Sequence, residues 1–103
     1  MVVRIAEPGR PAFQLRKGEE GVSVFDLDGV QPSLTENEIL DSFRSGSGPV
    51  SRSLAEIEAK GLRVVSVLGA ETLPPRLREA HCEIRPGPGM NRVEFKKALM
   101  ELE

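Results

Sequence analysis

The chain has 103 residues, of which 39% are apolar and 29% charged, with a formal net charge of −2, four Phe and neither Trp nor Tyr. That length suits one domain (1–103) with a single modest core, and no apolar run approaches the roughly 20 residues that a membrane-spanning helix needs. The one cysteine excludes an intrachain disulfide and a cysteine-based zinc site, while scarce aromatics and scattered basic residues speak against nucleic acid as a partner. Met1 to Ala6 lacks the apolar core of a signal peptide. A single free thiol fits a reducing compartment, so a cytoplasmic location with no membrane partner is expected.

Val2 to Ile5 reads as a short strand, stopped by the EPGRP run at 7–11. Ala12 to Arg16 alternates, with Phe13 and Leu15 on one side and Gln14 and Arg16 on the other. Lys17 to Gly21 is a polar turn of hairpin length, and Val22 to Asp26 is the next strand. These two strands form the best hairpin candidate. Thr35 and Glu38 have the spacing of a capping box, with Leu34 and Ile39 as staple, ahead of a short helix whose apolar face is Ile39, Leu40 and Phe43. The SGSG run at 45–48 reads as a surface loop. Ser53 and Glu56 repeat the box, and Gly61 suits the C′ position of that second helix.

Leu62 to Leu68 is rich in β-branched residues and apolar on both faces, as a central buried strand would be. Pro74-Pro75 reads as a break. Ala80 to Arg85 alternates, with Cys82 and Ile84 on one face and His81, Glu83 and Arg85 on the other. PGPG at 86–89 is a turn, after which Asn91 and Glu94 form a third box, stapled by Met90 and Phe95. A final helix over 92–102 places Phe95, Ala98, Leu99 and Leu102 on one stripe. Runs of strands set apart from runs of helices define an α+β fold: a small, mostly antiparallel twisted sheet with about three helices.

Arg16, Ser23, His81 and Glu83 all fall on the polar phase of their strands, so one sheet would let them share a groove. The same positions suit the plain solvent face of an antiparallel sheet. Arg16 has the fork geometry for a phosphate or carboxylate. His81 is of the one residue type that changes charge near neutral pH, which suits a base. Cys82 shares its side with Ile84 and reads as core, not nucleophile. The chain has no P-loop, no GxGxxG after a strand, no HExxH and no GxSxG. Its lone His has no metal-spaced partners, so no metal is expected.

Gly21-Val22-Ser23-Val24-Phe25-Asp26, then Leu73-Pro74-Pro75, Ala80-His81-Cys82-Glu83-Ile84 and Pro88-x-Met90, together resemble the small type VI secretion effector toxins with a mono-ADP-ribosyltransferase-like fold. That family carries G-x-S-V-F-D, an L/I-P-P segment, an A-T-H-Y-type strand, a P-x-M turn and a terminal helix. Here Val22 replaces a common Thr and Cys82 replaces the Tyr after the His. The resemblance implies NAD as the substrate. It implies that Arg16, Ser23 and Glu83 stand in the Arg, Ser, Glu order of that fold. Arg16 would then hold a phosphate or ribose, Ser23 would brace the nicotinamide side and Phe25 would stack on the ring. Glu83, with His81 beside it, would favour the oxocarbenium-like state. A protein antidote would be a fitting partner. The rival reading is a non-enzymatic protein-interaction domain on the same or a similar scaffold.

Overall fold

The computed structural model describes residues 1–43 and 48–103. The chain is α+β, with nine elements in the order β1 (Val2–Ala6), β2 (Val22–Asp26), α1 (Glu36–Leu40), β3 (Gly48–Arg52), α2 (Leu54–Ala59), β4 (Arg63–Ser66), α3 (Pro75–Ala80), β5 (His81–Arg85) and α4 (Arg92–Met100). The strands form one sheet in the order β3-β1-β2-β5-β4. Every neighbouring pair in it is antiparallel.

Alternation in β2 and β5 divides the apolar residues between two layers, because successive side chains leave a strand on opposite faces. On one face Val22, Val24, Cys82 and Ile84 pack with Ile57 of α2 and with Phe95, Ala98 and Leu99 of α4. On the other, Val3 and Phe25 pack with Ile39 of α1 and with Leu77 and Ala80 of α3. The sheet is therefore covered by helices on both sides, and its polar phase is not simply a solvated surface. No helix among the described residues is long and apolar enough to cross a membrane.

The helix starts follow their caps. Asn91 accepts from the Glu94 amide at 2.8 Å while the Glu94 carboxylate accepts from the Asn91 amide at 3.3 Å, closing the third box in full. Ser53 and Glu56 do the same at 3.1 and 3.2 Å. Thr35 makes only half of its box: its hydroxyl accepts from the Glu38 amide, but the Glu38 carboxylate turns to Arg76 Nε at 3.2 Å. Gly61, with φ +79°, ends α2 as the C′ glycine.

Four expectations are corrected. Residues 12–16 are not a strand, and no hairpin joins them to β2. Phe13 and Leu15 are buried and Gln14 and Arg16 exposed, as the alternation predicts. The backbone there is satisfied by side chains instead of a ladder: Glu103 accepts from the Ala12 and Phe13 amides at 2.8 and 2.7 Å, and Arg92 donates to the Arg16 carbonyl at 3.0 Å. Second, Arg63–Ser66 is an edge strand and half-exposed, not a central buried one. Third, the proline pair opens a helix: Pro74 is the N-cap of α3 and Pro75 its first residue, where a missing N–H costs nothing. This helix makes four where about three are expected. Fourth, Gly48 opens β3, while Ser45–Ser47 of the expected loop lie outside the described residues.

Phe95 is 2% exposed and joins α4 to the larger core layer. Phe95→Ala is expected to cost roughly 3–5 kcal/mol, a large share of the 5–15 kcal/mol typical of a whole domain. Urea unfolding of wild type and variant measures it, and an unchanged midpoint would contradict the packing described.

Candidate functional site

The register of β2 on β5 places Ser23 opposite Glu83 and Phe25 opposite His81. All four side chains leave the sheet on the same face. The pairing of β1 with β2 is short, with registered partners only at Val2↔Asp26 and Val3↔Phe25. Beyond it Arg4 reaches across the opening. Its Nη1 donates to the Ser23 carbonyl and its Nε to the Ala12 carbonyl, each at 2.9 Å. A guanidinium thus supplies the donor that a continuing ladder would have supplied from the backbone.

At this opening lies a cavity of about 240 Å³, lined by Arg4, Ile5, Ser23, Phe25, Phe43, Ala70, Thr72, Leu73 and His81. Its walls are mostly aliphatic and aromatic. Phe25 meets Phe43 edge-on, centroids 6.0 Å apart at 72°, and meets His81 at 5.6 Å and 74°. Arg4, Ser23 and His81 supply the polar groups. Arg4 is half-buried, and loss of solvent pulls its pKa below the ordinary arginine value; Glu19, Glu7 and Glu103 oppose the shift and Arg16 adds to it. It remains a cation at neutral pH, held by two carbonyl dipoles and using two of its five N–H donors.

His81 Nδ1 lies 2.7 Å from the Val67 carbonyl oxygen. A carbonyl can only accept, so Nδ1 carries the proton and Nε2 of the neutral ring keeps a lone pair. The Val67 amide donates back to the His81 carbonyl at 3.2 Å, fixing the chain before the 70–73 wall. Gly69 continues that wall. A Cβ there would lie 3.0–3.1 Å from Leu73 Cδ1, Arg78 Cα and His81 Cβ, so a side chain at this position would have to push its neighbours aside by a few tenths of an ångström.

The expected residues separate. Ser23, Phe25 and His81 are brought together at the cavity. Glu83 shares their face, but its Oε1 lies 2.6 Å from Arg85 Nη2 and accepts from Arg85 Nε at 2.8 Å; it does not line the cavity. It leans over Gly21, where a Cβ would meet its Oε1 at 3.0 Å. Arg16 does not line the cavity. It lies in the irregular 12–16 segment, 3.5 Å from a Glu7 oxygen, and lines a neighbouring polar hollow. Arg4 lines the cavity instead. The signal available in the sequence was an arginine interrupting the apolar run Val2–Ile5. Phe43 was assigned to a helix face and instead closes the cavity's rim. Among the described residues no group of three or more His, Cys, Asp or Glu is placed to hold a metal ion.

The chain matches no protein-family model, no curated protein and no solved structure.

Cys82 lies on the opposite face, buried, with Sγ 3.6 Å from the Ala80 carbonyl. Burial pushes its thiol pKa up, and the Asp26 carboxylate adds to the shift. A raised folded-state pKa means that this stabilisation is complete below the unfolded thiol's value of about 8.5 and is lost as pH rises through the folded value. Native Cys82 is therefore expected to react with a disulfide reagent at pH 8 far more slowly than the urea-unfolded chain. Equal rates would place the thiol on the surface and contradict the register of β5.

Proposed function

We propose that this chain is a toxin-like, NAD-using domain of ADP-ribosyltransferase type, with the nicotinamide end of the substrate in the Arg4–Ser23–Phe25–His81 cavity. The observation that carries the reading is the meeting of a fixed guanidinium, a serine and two phenylalanine rings in one apolar-walled cavity at the opening between β1 and β2. In chain order, Arg4 and Ser23 keep the Arg, Ser sequence that the resemblance implies. The cavity is too small for a whole dinucleotide, since pockets that bury drug-sized ligands run to about 300–1,000 Å³, but it suits one flat ring. Phe25 and Phe43 offer faces and edges to such a ring, and Arg4 and Ser23 offer donors to its carboxamide oxygen.

In the reaction, the bond between the nicotinamide nitrogen and the ribose carbon breaks. Its electron pair passes to the ring nitrogen, neutralising it and leaving positive charge on the ribose. A water or an acceptor hydroxyl then bonds to that carbon and gives up a proton. His81 Nε2, with its tautomer fixed by Val67, is the group at the cavity able to take it. Glu83 stands one strand pair away on the same face and would stabilise the cationic ribose once released from Arg85.

That Glu83–Arg85 pair favours a second reading, a non-catalytic binding domain on the same scaffold, because among the described residues no carboxylate lines the cavity. Calorimetric titration with NAD and with free nicotinamide, alongside an assay of nicotinamide release, separates them. Both ligands are expected to saturate the wild type, and Arg4→Ala is expected to weaken NAD binding about tenfold or more, equivalent to roughly 1.4 kcal/mol. Ser23→Ala checks the result without disturbing the strand opening. Turnover lost in His81→Gln with binding retained supports the enzyme; binding without release supports the second reading. No binding of either ligand at millimolar concentration rejects the site.

A further inference from the structure

The two edges of the sheet are built differently. β3 is blunted: Pro49 removes a donor from it, and Ser51 donates its hydroxyl to the Glu36 carboxylate at 2.8 Å. β4 carries no proline, and its one charged residue, Arg63, stands at its start. Among the described residues no strand lies on its outer side. The Val67 amide donates to the His81 carbonyl at 3.2 Å, which continues the β4–β5 ladder one residue past Ser66. Hydrogen-bonded positions alternate along an antiparallel pair, so Arg63, Val65 and Val67 turn their backbone groups to β5. Val64, Ser66 and Leu68 turn theirs outward, to the open edge. Ser66 is exposed and Leu68 is 69% exposed, so the chain's own fold covers neither.

The sequence along this edge is nearly its own mirror image. Val64-Val65-Ser66-Val67-Leu68 reads apolar, apolar, hydroxyl, apolar, apolar from either end. We infer that β4 is the seam of a homodimer, its edge pairing antiparallel with the same edge of a second copy about a two-fold axis at Ser66. An isologous contact requires a surface that complements itself, and this register supplies one. Ser66 meets the partner's Ser66, Val64 meets the partner's Leu68, and Val65 meets the partner's Val67. Apolar β-branched pairs and hydroxyl pairs are among the favourable cross-strand neighbours. The outward amides and carbonyls at 64, 66 and 68 gain partners, which adds about six backbone hydrogen bonds across the axis. Arg63 lies beyond the paired stretch. The two copies of it stand roughly 20 Å apart along the seam, further than the screening length of about 8 Å at physiological salt. A strand of another protein would place no demand for symmetry on this edge. The inference is independent of what the ring cavity holds.

Sedimentation equilibrium of the whole chain tests it on wild type, Ser66→Lys and Ser66→Glu. Ser66 is exposed, so both variants are expected to fold, which far-UV circular dichroism checks. A seam this short makes a weak complex, so the wild type is run at up to about 0.5 mM, where a mass near twice the 11.3 kDa of the chain is expected. Either variant alone sets like charges face to face and is expected to weaken association about tenfold or more. An equimolar mixture of the two is expected to restore it, because only a residue on the two-fold axis meets its own counterpart. Hydrogen exchange on the wild type gives a second reading: the amides of Val64, Ser66 and Leu68 are expected to slow as concentration rises. A wild type that stays at the mass of one chain leaves the edge to some other strand and overturns the dimer. Association that neither variant weakens, that the mixture fails to restore, or that leaves those three amides unchanged also overturns it.

Discussion

The pairing of β2 with β5 decides most of what this fold does. Setting Val22 against Ile84 and Val24 against Cys82 builds the core layer that α2 and α4 close. The same register sets Ser23 against Glu83 and Phe25 against His81 on the far face. A slip of one residue would exchange the two sets, moving the core valines to the cavity face and turning a serine, a glutamate and a histidine into the larger core layer. One constraint therefore fixes both the stability of the domain and the composition of its cavity. The chain cannot lose its site by register error without losing its core as well.

The second determinant is the half-buried Arg4. Desolvating a guanidinium is costly unless hydrogen bonds replace the lost water. The Ser23 and Ala12 carbonyls provide them. Ala12 is held in turn by the Glu103 carboxylate, so the cation's position depends on a residue far away in sequence. Among the described residues Arg4 makes no direct ion pair, and it keeps unused donors beside an apolar cavity. An arginine so placed ties the 12–16 segment to the edge of β2.

Much of this was legible in the sequence, and the failures have specific causes. β5 and α4 were readable because alternation, capping residues and helical spacing agree there. The capping boxes at Ser53 and Asn91 form as their spacing implies, but the box at Thr35 loses its second half to Arg76, a partner 38 residues away from Glu38. The 12–16 segment shows alternation without a strand, because burial pattern follows which side chains face the core, whereas ladder bonds depend on a neighbour. β3 carries Gly48-Pro49, which suits only an edge, and it pairs with β1 as one. α3 was hidden because two prolines read as a stop when they equally make a start. Strand phase put Ser23 and His81 on the face that lines the cavity, and Phe25 was named only through the resemblance. Arg4 and Phe43 were not placed there, since neither a break in the β1–β2 ladder nor a residue beyond the end of α1 leaves a periodic trace.

We propose that a flat ring binds at the opening between β1 and β2. The most direct measurement is isotope-filtered NOE spectroscopy on the labelled protein with free nicotinamide. Contacts from the ring protons to Phe25, Phe43 and His81, with none to Arg10 or Arg16, are the expected result. Contacts confined to another surface, or none at ligand concentrations that saturate the protein, would contradict it.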